Sequence, residues 1–131
     1  MGGKPGGRPV DTWFLRGGLA FVFAYAATSV VTDPTQFDSY LPGFVPDRWV
    51  EPSLVGVAAF ELLLVLGLAT GRCLYAVSMA SAAMLGGVVV LNLDSFDVVF
   101  RNVAIVTAAL ALAVQARRRA WDTRAEPQAV A

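Results

Sequence analysis

Three ionisable side chains stand inside apolar stretches of this sequence and are its strongest candidates for chemistry. They are Arg16 in WFLRGGLA, Glu61 in AFELLLVLGL, and Arg101 in VFRNVAI, where Asn102 follows directly. A charged group at the centre of a bilayer costs ~2.5–3.5 kcal/mol on insertion scales, so such groups normally face other helices and find a partner. A carboxylate of shifted proton affinity, set beside an arginine and an amide, can exchange protons or hold a polar ligand.

The stretches that carry these residues are long enough to cross a membrane. A hydrocarbon core of ~30 Å needs ~20 apolar residues as a helix, and the chain offers four such windows. They are 13–32, 53–71, 73–93 and 98–116. A soluble bundle would need a polar stripe on every helix, but residues 74–93 offer only Ser78, Ser81 and Asn92 as strongly polar side chains. The sequence therefore predicts an all-α membrane protein whose domain, residues 13–116, is a bundle of four transmembrane helices.

The segments between and around the windows differ in character. Residues 1–12 are rich in Gly and Pro and are expected to be flexible. Residues 33–52 contain four prolines and are predicted to be the one long loop. The Gly71-Arg72 pair leaves room only for a tight turn, so the second and third helices should be antiparallel neighbours. Residues 117–131 are predicted to be a basic and then disordered tail.

The positions of Lys and Arg predict the orientation of the bundle. One end holds Lys4, Arg8, Arg72, Arg117, Arg118, Arg119 and Arg124, whereas the other holds Arg48 among six acidic residues. Basic flanking residues favour the cytoplasmic side. Both termini are therefore expected in the cytoplasm and the 33–52 loop outside, in the cytoplasmic membrane of a prokaryote.

Depth within the windows separates the three charged residues. Arg16 lies about one turn from its end, so its long side chain is expected to reach the lipid headgroups. Arg101 lies ~6 Å deep, within reach of Asp94 and Asp97, and a salt bridge at the outer rim is expected. Glu61 lies ~12 Å deep, too far for its short side chain to reach either interface.

Glu61 has several possible environments. It can pair with Arg101 as a structural clasp, or it can face a cavity as a group that handles protons or contacts a ligand. It can also contact another subunit. Without a partner it is expected to keep its proton, because desolvation disfavours the charged form of a carboxyl group.

The composition excludes several classes of function. There is no histidine and one cysteine, Cys73, and the formal net charge is zero. Zinc or haem bound by this chain alone is therefore disfavoured, as is an internal dithiol. The zero net charge gives no argument for nucleic-acid binding. The Gly-Gly pairs lack the context of a dinucleotide-binding fold, so we expect no intrinsic cofactor and no metal site.

Four segments resemble the DoxX/DoxD group of small four-span membrane proteins. They are LRGGLAFVF, TDPTQF, FELLLVLGLATGR and FRNVAIVTAALAL. The chain departs from that group in one place, because AATSVVTDP lacks the lysine that often precedes the Asp-Pro pair. A related branch, which acts in methylamine-dehydrogenase maturation, tends to carry cysteines for disulfide handling. With its single cysteine, this chain is predicted not to belong to that branch.

The resemblance implies a link to membrane redox enzymes, including thiosulfate oxidation that feeds electrons to quinone. It also carries over Arg16, Glu61 and Arg101 as functional positions. The first hypothesis is an accessory subunit of a membrane redox or respiratory complex, not catalytic alone, which contacts other membrane subunits or a second copy. The alternative is a quinone-reactive subunit in which Glu61 passes protons while Arg101 and Asn102 bind a quinone carbonyl. A small transporter is a third possibility.

Overall fold

The computed structural model describes residues 9–36, 41 and 43–125, and it is helical with no strand in that part of the chain. Its long helices are α1 (Pro9–Thr32), α2 (Asp47–Thr70), α3 (Leu74–Leu91) and α4 (Phe96–Ala125). A short 3₁₀ turn, Pro34–Gln36, follows α1. All four helices are long and apolar enough to cross a membrane. The prediction of an all-α protein with four transmembrane helices is confirmed.

The four helices pack as two antiparallel hairpins. Helix α1 packs mainly against α2, and α3 packs mainly against α4, while α1 with α4 and α2 with α3 make smaller interfaces. We call the end where α1 begins and α4 ends the terminus end, and the opposite end the loop end. The α2–α3 turn lies at the terminus end, and the α3–α4 turn lies at the loop end.

Of two buried apolar clusters, the larger joins all four helices. It consists of Leu19, Phe23, Leu64, Leu68, Ala82, Leu85, Ala109 and Leu112. Many large apolar side chains lie on the outside instead, among them Phe14, Phe21, Leu63 and Phe100. A helix that is apolar on its outer face as well as its inner one suits a bilayer, where lipid chains cover the outer face.

Helix α2 begins earlier than the sequence analysis predicted. The loop was expected to run to residue 52, but the helix starts at Asp47 and contains Pro52. Pro46 precedes it in an extended conformation, with φ −63° and ψ 143°. The first four N–H groups of any helix have no helical partner, so Pro52, the sixth residue of α2, removes one further bond near the start of the helix.

Two other helix ends, the start of α1 and the end of α4, also differ from the predicted bounds. Helix α4 continues to Ala125, so residues 117–125 are helical where a tail was expected, because this stretch is free of Gly and Pro and rich in Ala and Arg. Helix α1 starts at Pro9, and proline is well tolerated in a first turn. Residues 1–8, 37–40, 42 and 126–131 lie outside the described part, and so do the predictions made for them.

Two small hydrogen-bonded structures close the helix ends. Asp33 follows α1 and accepts hydrogen bonds from Thr35 Oγ1 at 2.5 Å and Gln36 Nε2 at 2.7 Å. These bonds, chiefly that of Thr35, lower the pKa of the Asp33 carboxyl. At the other end of the bundle Gly71, at φ 70°, terminates α2 by donating its N–H to Gly67 O at 3.0 Å.

Candidate functional site

Glu61 lies on the buried face of α2, in line with Ala58 and Leu64. Only 7% of its surface is exposed, and its buried Oε2 atom has no hydrogen-bond partner among the described residues. A buried polar atom left unpaired typically costs about 1–3 kcal/mol. The fold therefore keeps a carboxyl group in its interior at a cost in stability.

Ser78 is a second buried group of the same kind. It is fully buried on α3, and no described residue forms a hydrogen bond with its Oγ atom. Ser81, one turn further on, differs because its hydroxyl donates to Val77 O at 2.9 Å. Counted from the α2–α3 turn at 1.5 Å per residue, Glu61 lies ~13 Å and Ser78 ~6 Å into the bundle.

Asn102 provides a third interior polar group, from α4. It is 7% exposed and shares the buried face with Val98 and Ala109. Its side chain makes no hydrogen bond to any described residue, whereas Asn92 donates to Val88 O at 2.9 Å. We call Glu61, Ser78 and Asn102 the interior polar set, because each has unused hydrogen-bonding capacity inside the bundle.

Arg101 does not belong to this set, contrary to two expectations. Its side chain is exposed, and within the described residues no ion pair joins it to Glu61, Asp94 or Asp97. Neighbouring residues on a helix point ~100° apart. Because Asn102 faces the interior, Arg101 is turned outward and neither the Glu61 clasp nor the rim salt bridge forms.

Arg16, whose side chain was expected to reach the lipid headgroups, has partners inside the protein. Its Nε atom donates to Leu68 O at 2.7 Å, and its Nη2 atom donates to Ala69 O at 2.8 Å. The guanidinium carbon lies 4.5 Å from the centre of the Trp13 ring. The last carbonyl groups of a helix lack helical partners and carry partial negative charge. Arg16 therefore caps α2 and ties it to α1.

A second polar link at the terminus end was missed from the sequence. Arg119 Nη2 donates to Thr12 Oγ1 at 2.7 Å, and Thr12 Oγ1 donates to Gln115 Oε1 at 2.9 Å. Thr12 is 3% exposed. The four-residue spacing of Gln115 and Arg119 puts them on one face of α4, but nothing in the sequence indicated Thr12 as their partner.

The interior polar set consists of a carboxyl, a hydroxyl and an amide, which lie on three different helices and at different depths. These groups can hydrogen-bond a polar molecule or exchange a proton with it, but they supply no positive charge and no electron carrier. Among the described residues there is no group of three or more His, Cys, Asp and Glu side chains that could hold a metal ion.

The family comparison identifies the chain. The model of a family described as methylamine utilisation protein MauE matches residues 9–94, which is more than half of the chain. The chain therefore belongs to the MauE family. The match covers α1 to α3 and so includes Arg16, Glu61 and Ser78, whereas Asn102 and Arg101 lie beyond it. Neither the curated proteins nor the solved structures contain a significant match.

The predicted membership of the DoxX/DoxD group is wrong. The segments that suggested it are short and apolar, and any family of membrane helices is constrained to similar composition by the bilayer. The cysteine argument against the methylamine-dehydrogenase branch also failed, since the family that matches is the one named for methylamine utilisation. The absence of a cysteine pair is therefore a poor criterion for excluding a chain from the MauE family.

Proposed function

We propose that this member of the MauE family is a membrane-embedded accessory protein of a methylamine-utilisation system, which supports a partner redox enzyme and does not itself oxidise substrate. The observation that carries the proposal is the family match across α1 to α3, combined with four helices fit to cross a membrane. The charge asymmetry supports placing it in the cytoplasmic membrane of a prokaryote, with both termini inside.

The side chains of the protein support an accessory role. The chain has no histidine and a single cysteine, Cys73, which is exposed at the start of α3. One thiol cannot cycle between dithiol and disulfide within one chain, so any thiol exchange here needs a cysteine from a partner. The electron transfer of methylamine oxidation is accordingly assigned to a partner and its cofactor.

The surface of the bundle offers room for such a partner. Exposed Phe, Leu and Val side chains cover the outer faces of the helices, and these can contact lipid, another membrane subunit or a second copy. Small residues on these faces allow close approach of a neighbouring helix, since a Cβ atom added at Gly17, Gly18, Gly56 or Gly87 would meet nothing within 4 Å.

A quinone-reactive role is the second candidate, and Glu61 is the observation in its favour. A buried carboxyl group with an unpaired oxygen atom can take up or release a proton. The exposed position of Arg101 counts against the predicted pair of donors, so such a site would rely on Glu61 and Asn102. Unchanged quinone reduction by membranes carrying Glu61→Gln or Asn102→Leu would reject it.

Affinity purification tests the accessory role. The tagged full chain is purified in mild detergent from native membranes of cells grown on methylamine, and the eluate is assayed for methylamine-dependent reduction of an artificial electron acceptor. We expect the activity to co-purify with the tagged chain and not with an unrelated tagged four-span protein. Recovery of the chain without that activity, from membranes that contain it, would contradict the proposal.

A further inference from the structure

Helix α4 extends beyond α3 at the terminus end. It has 30 residues against 18 in its neighbour α3, which correspond to ~45 Å and ~27 Å at 1.5 Å per residue. Its last turns, RRRAWDTRA at 117–125, carry four arginines and one aspartate. The apolar part of α4 ends immediately before Arg117, so this extension begins at the level of the membrane surface.

A groove lies where this extension of α4 passes the start of α3. It has a volume of about 400 Å³ and is lined by Tyr75 of α3 and by Ala116, Arg117, Ala120, Trp121 and Arg124 of α4. Arg117 and Arg124 are seven residues apart, so they lie ~20° apart around the helix and ~10 Å apart along it. The small side chain of Ala120 leaves the space between them open.

The positive charge of this groove is not neutralised by any described residue. Within the described residues no carboxylate lines it, and Asp122 points ~140° away from Arg117 around the helix. Neither Arg117 nor Arg124 has a hydrogen-bond or ion-pair partner among the described residues. Arg119 points away from the groove and donates to Thr12, which fixes the opposite face of the extension against α1.

We propose that this groove binds the phosphate group of an anionic phospholipid, held between Arg117 and Arg124. Guanidinium groups bind phosphate oxygens in pairs of hydrogen bonds, and basic pockets between transmembrane helices are suited to anionic headgroups. Trp121 and Tyr75, which are 65% and 45% exposed, are the side chains that favour the interface between lipid and water. The inference rests on the membrane embedding and is independent of the redox partner.

Native mass spectrometry of the full chain tests the proposal. The purified protein is extracted from vesicles of phosphatidylglycerol and phosphatidylcholine, and the retained lipid is counted. We expect phosphatidylglycerol to be retained in preference to phosphatidylcholine. The double variant Arg117→Gln, Arg124→Gln should weaken that retention about thirtyfold, which is about fivefold for each arginine.

A control variant that loses the same amount of charge distinguishes binding in the groove from a general attraction of anionic lipid to this end of the bundle. The double variant Arg72→Gln, Arg118→Gln removes two positive charges from the same end but none from the groove, and it should retain the lipid. Equal loss of lipid retention in both double variants, or loss in neither, would overturn the proposal.

Inorganic phosphate is added in a separate experiment. If it displaces the lipid at millimolar concentration, the groove is a phosphate site and the assignment to lipid is wrong. Helix content by circular dichroism verifies that each variant is folded.

Discussion

Glu61 has a buried oxygen atom without a hydrogen-bond partner among the described residues. A residue that lowers stability in this way is kept for function, whereas a residue with a structural role raises stability, so the effect of Glu61 on stability distinguishes the two roles. Replacing Glu61 with leucine removes an unpaired polar group at similar volume. We therefore expect Glu61→Leu to raise the free energy of unfolding by about 1–3 kcal/mol and Glu61→Gln to change it little. Thermal unfolding in detergent, followed by circular dichroism, measures both.

The matched control is the apolar neighbour Leu64, one turn away on the same face of α2. Leu64→Ala should lower the free energy of unfolding by about 2–5 kcal/mol, because it leaves a cavity. If Glu61→Leu destabilised the protein to a similar degree, Glu61 would have a stabilising partner and its proposed role in the interior polar set would fail.

Of the three charged residues, Arg16 has the clearest structural role. Its two hydrogen bonds to the final carbonyls of α2 involve a charged donor, and such bonds are worth about 1.5–3 kcal/mol. Because the side chain is half-exposed, we expect the lower part of this range for Arg16→Gln and a smaller loss for Arg16→Lys, which keeps the charge. Arg101→Gln, at an exposed position without a partner, should change thermal stability by less than about 0.5 kcal/mol.

The three charged positions could be selected from the sequence, since ionisable residues in apolar windows are rare. Their partners could not. Arg16 meets the end of α2 only because α1 and α2 pack against each other, and Arg101 points outward because of the rotation of α4 about its axis. Ser78 had no distinguishing signal, because serine is common where membrane helices pack closely.

At the scale of the helices, Gly67 controls the contact between α2 and α3. A Cβ atom at this position would lie 2.6 Å from Val77 Cγ2, closer than atoms can approach. Overpacking usually costs about 1–3 kcal/mol, partly offset by the better helix propensity of alanine. We therefore expect Gly67→Ala to lower the unfolding temperature.

Gly56 in the same helix is the control for Gly67. A Cβ atom there would meet nothing within 4 Å, so Gly56→Ala should be neutral or stabilising by up to about 1 kcal/mol. If the two alanine variants had the same unfolding temperature, the close approach of α2 to α3 at Gly67 would be refuted.

Helix existence and order followed from the sequence, because window length and the Gly71 turn are local properties. Three helix ends did not follow, namely the starts of α1 and α2 and the end of α4. Pro52 suggested a break, but proline near the start of a helix disturbs little, and the true start at Asp47 follows the extended Pro46. The helicity of residues 117–125 was missed because charge was taken as a sign of a tail, although arginine and alanine favour helix.

At the scale of the whole molecule, the orientation in the membrane remains a prediction from charge. A green fluorescent protein fused after Ala131 should fluoresce, because it folds in the cytoplasm, and alkaline phosphatase fused there should be inactive. The same phosphatase inserted between residues 37 and 40 should be active. The reverse pattern of activities would show that the terminus end lies outside and that the positive charges do not set the topology.

The family could not be predicted from the individual residues of one sequence. Apolar segments carry little family-specific information, because length and hydrophobicity are imposed by the bilayer. The missing cysteine pair was weighed against a role in methylamine metabolism, since one residue type was treated as a requirement for a whole family. The match over residues 9–94 corrects both points.

Gene deletion with complementation tests the accessory role most directly. Cells that lack this chain are grown with methylamine as inducer alongside ammonium, and methylamine-dependent reduction of an artificial acceptor is measured in extracts. We expect that activity falls at least about tenfold and is restored by the wild-type chain and by Arg101→Gln, but not by Glu61→Leu. Full activity in the deletion strain would contradict the central claim that a methylamine-oxidising enzyme depends on this protein.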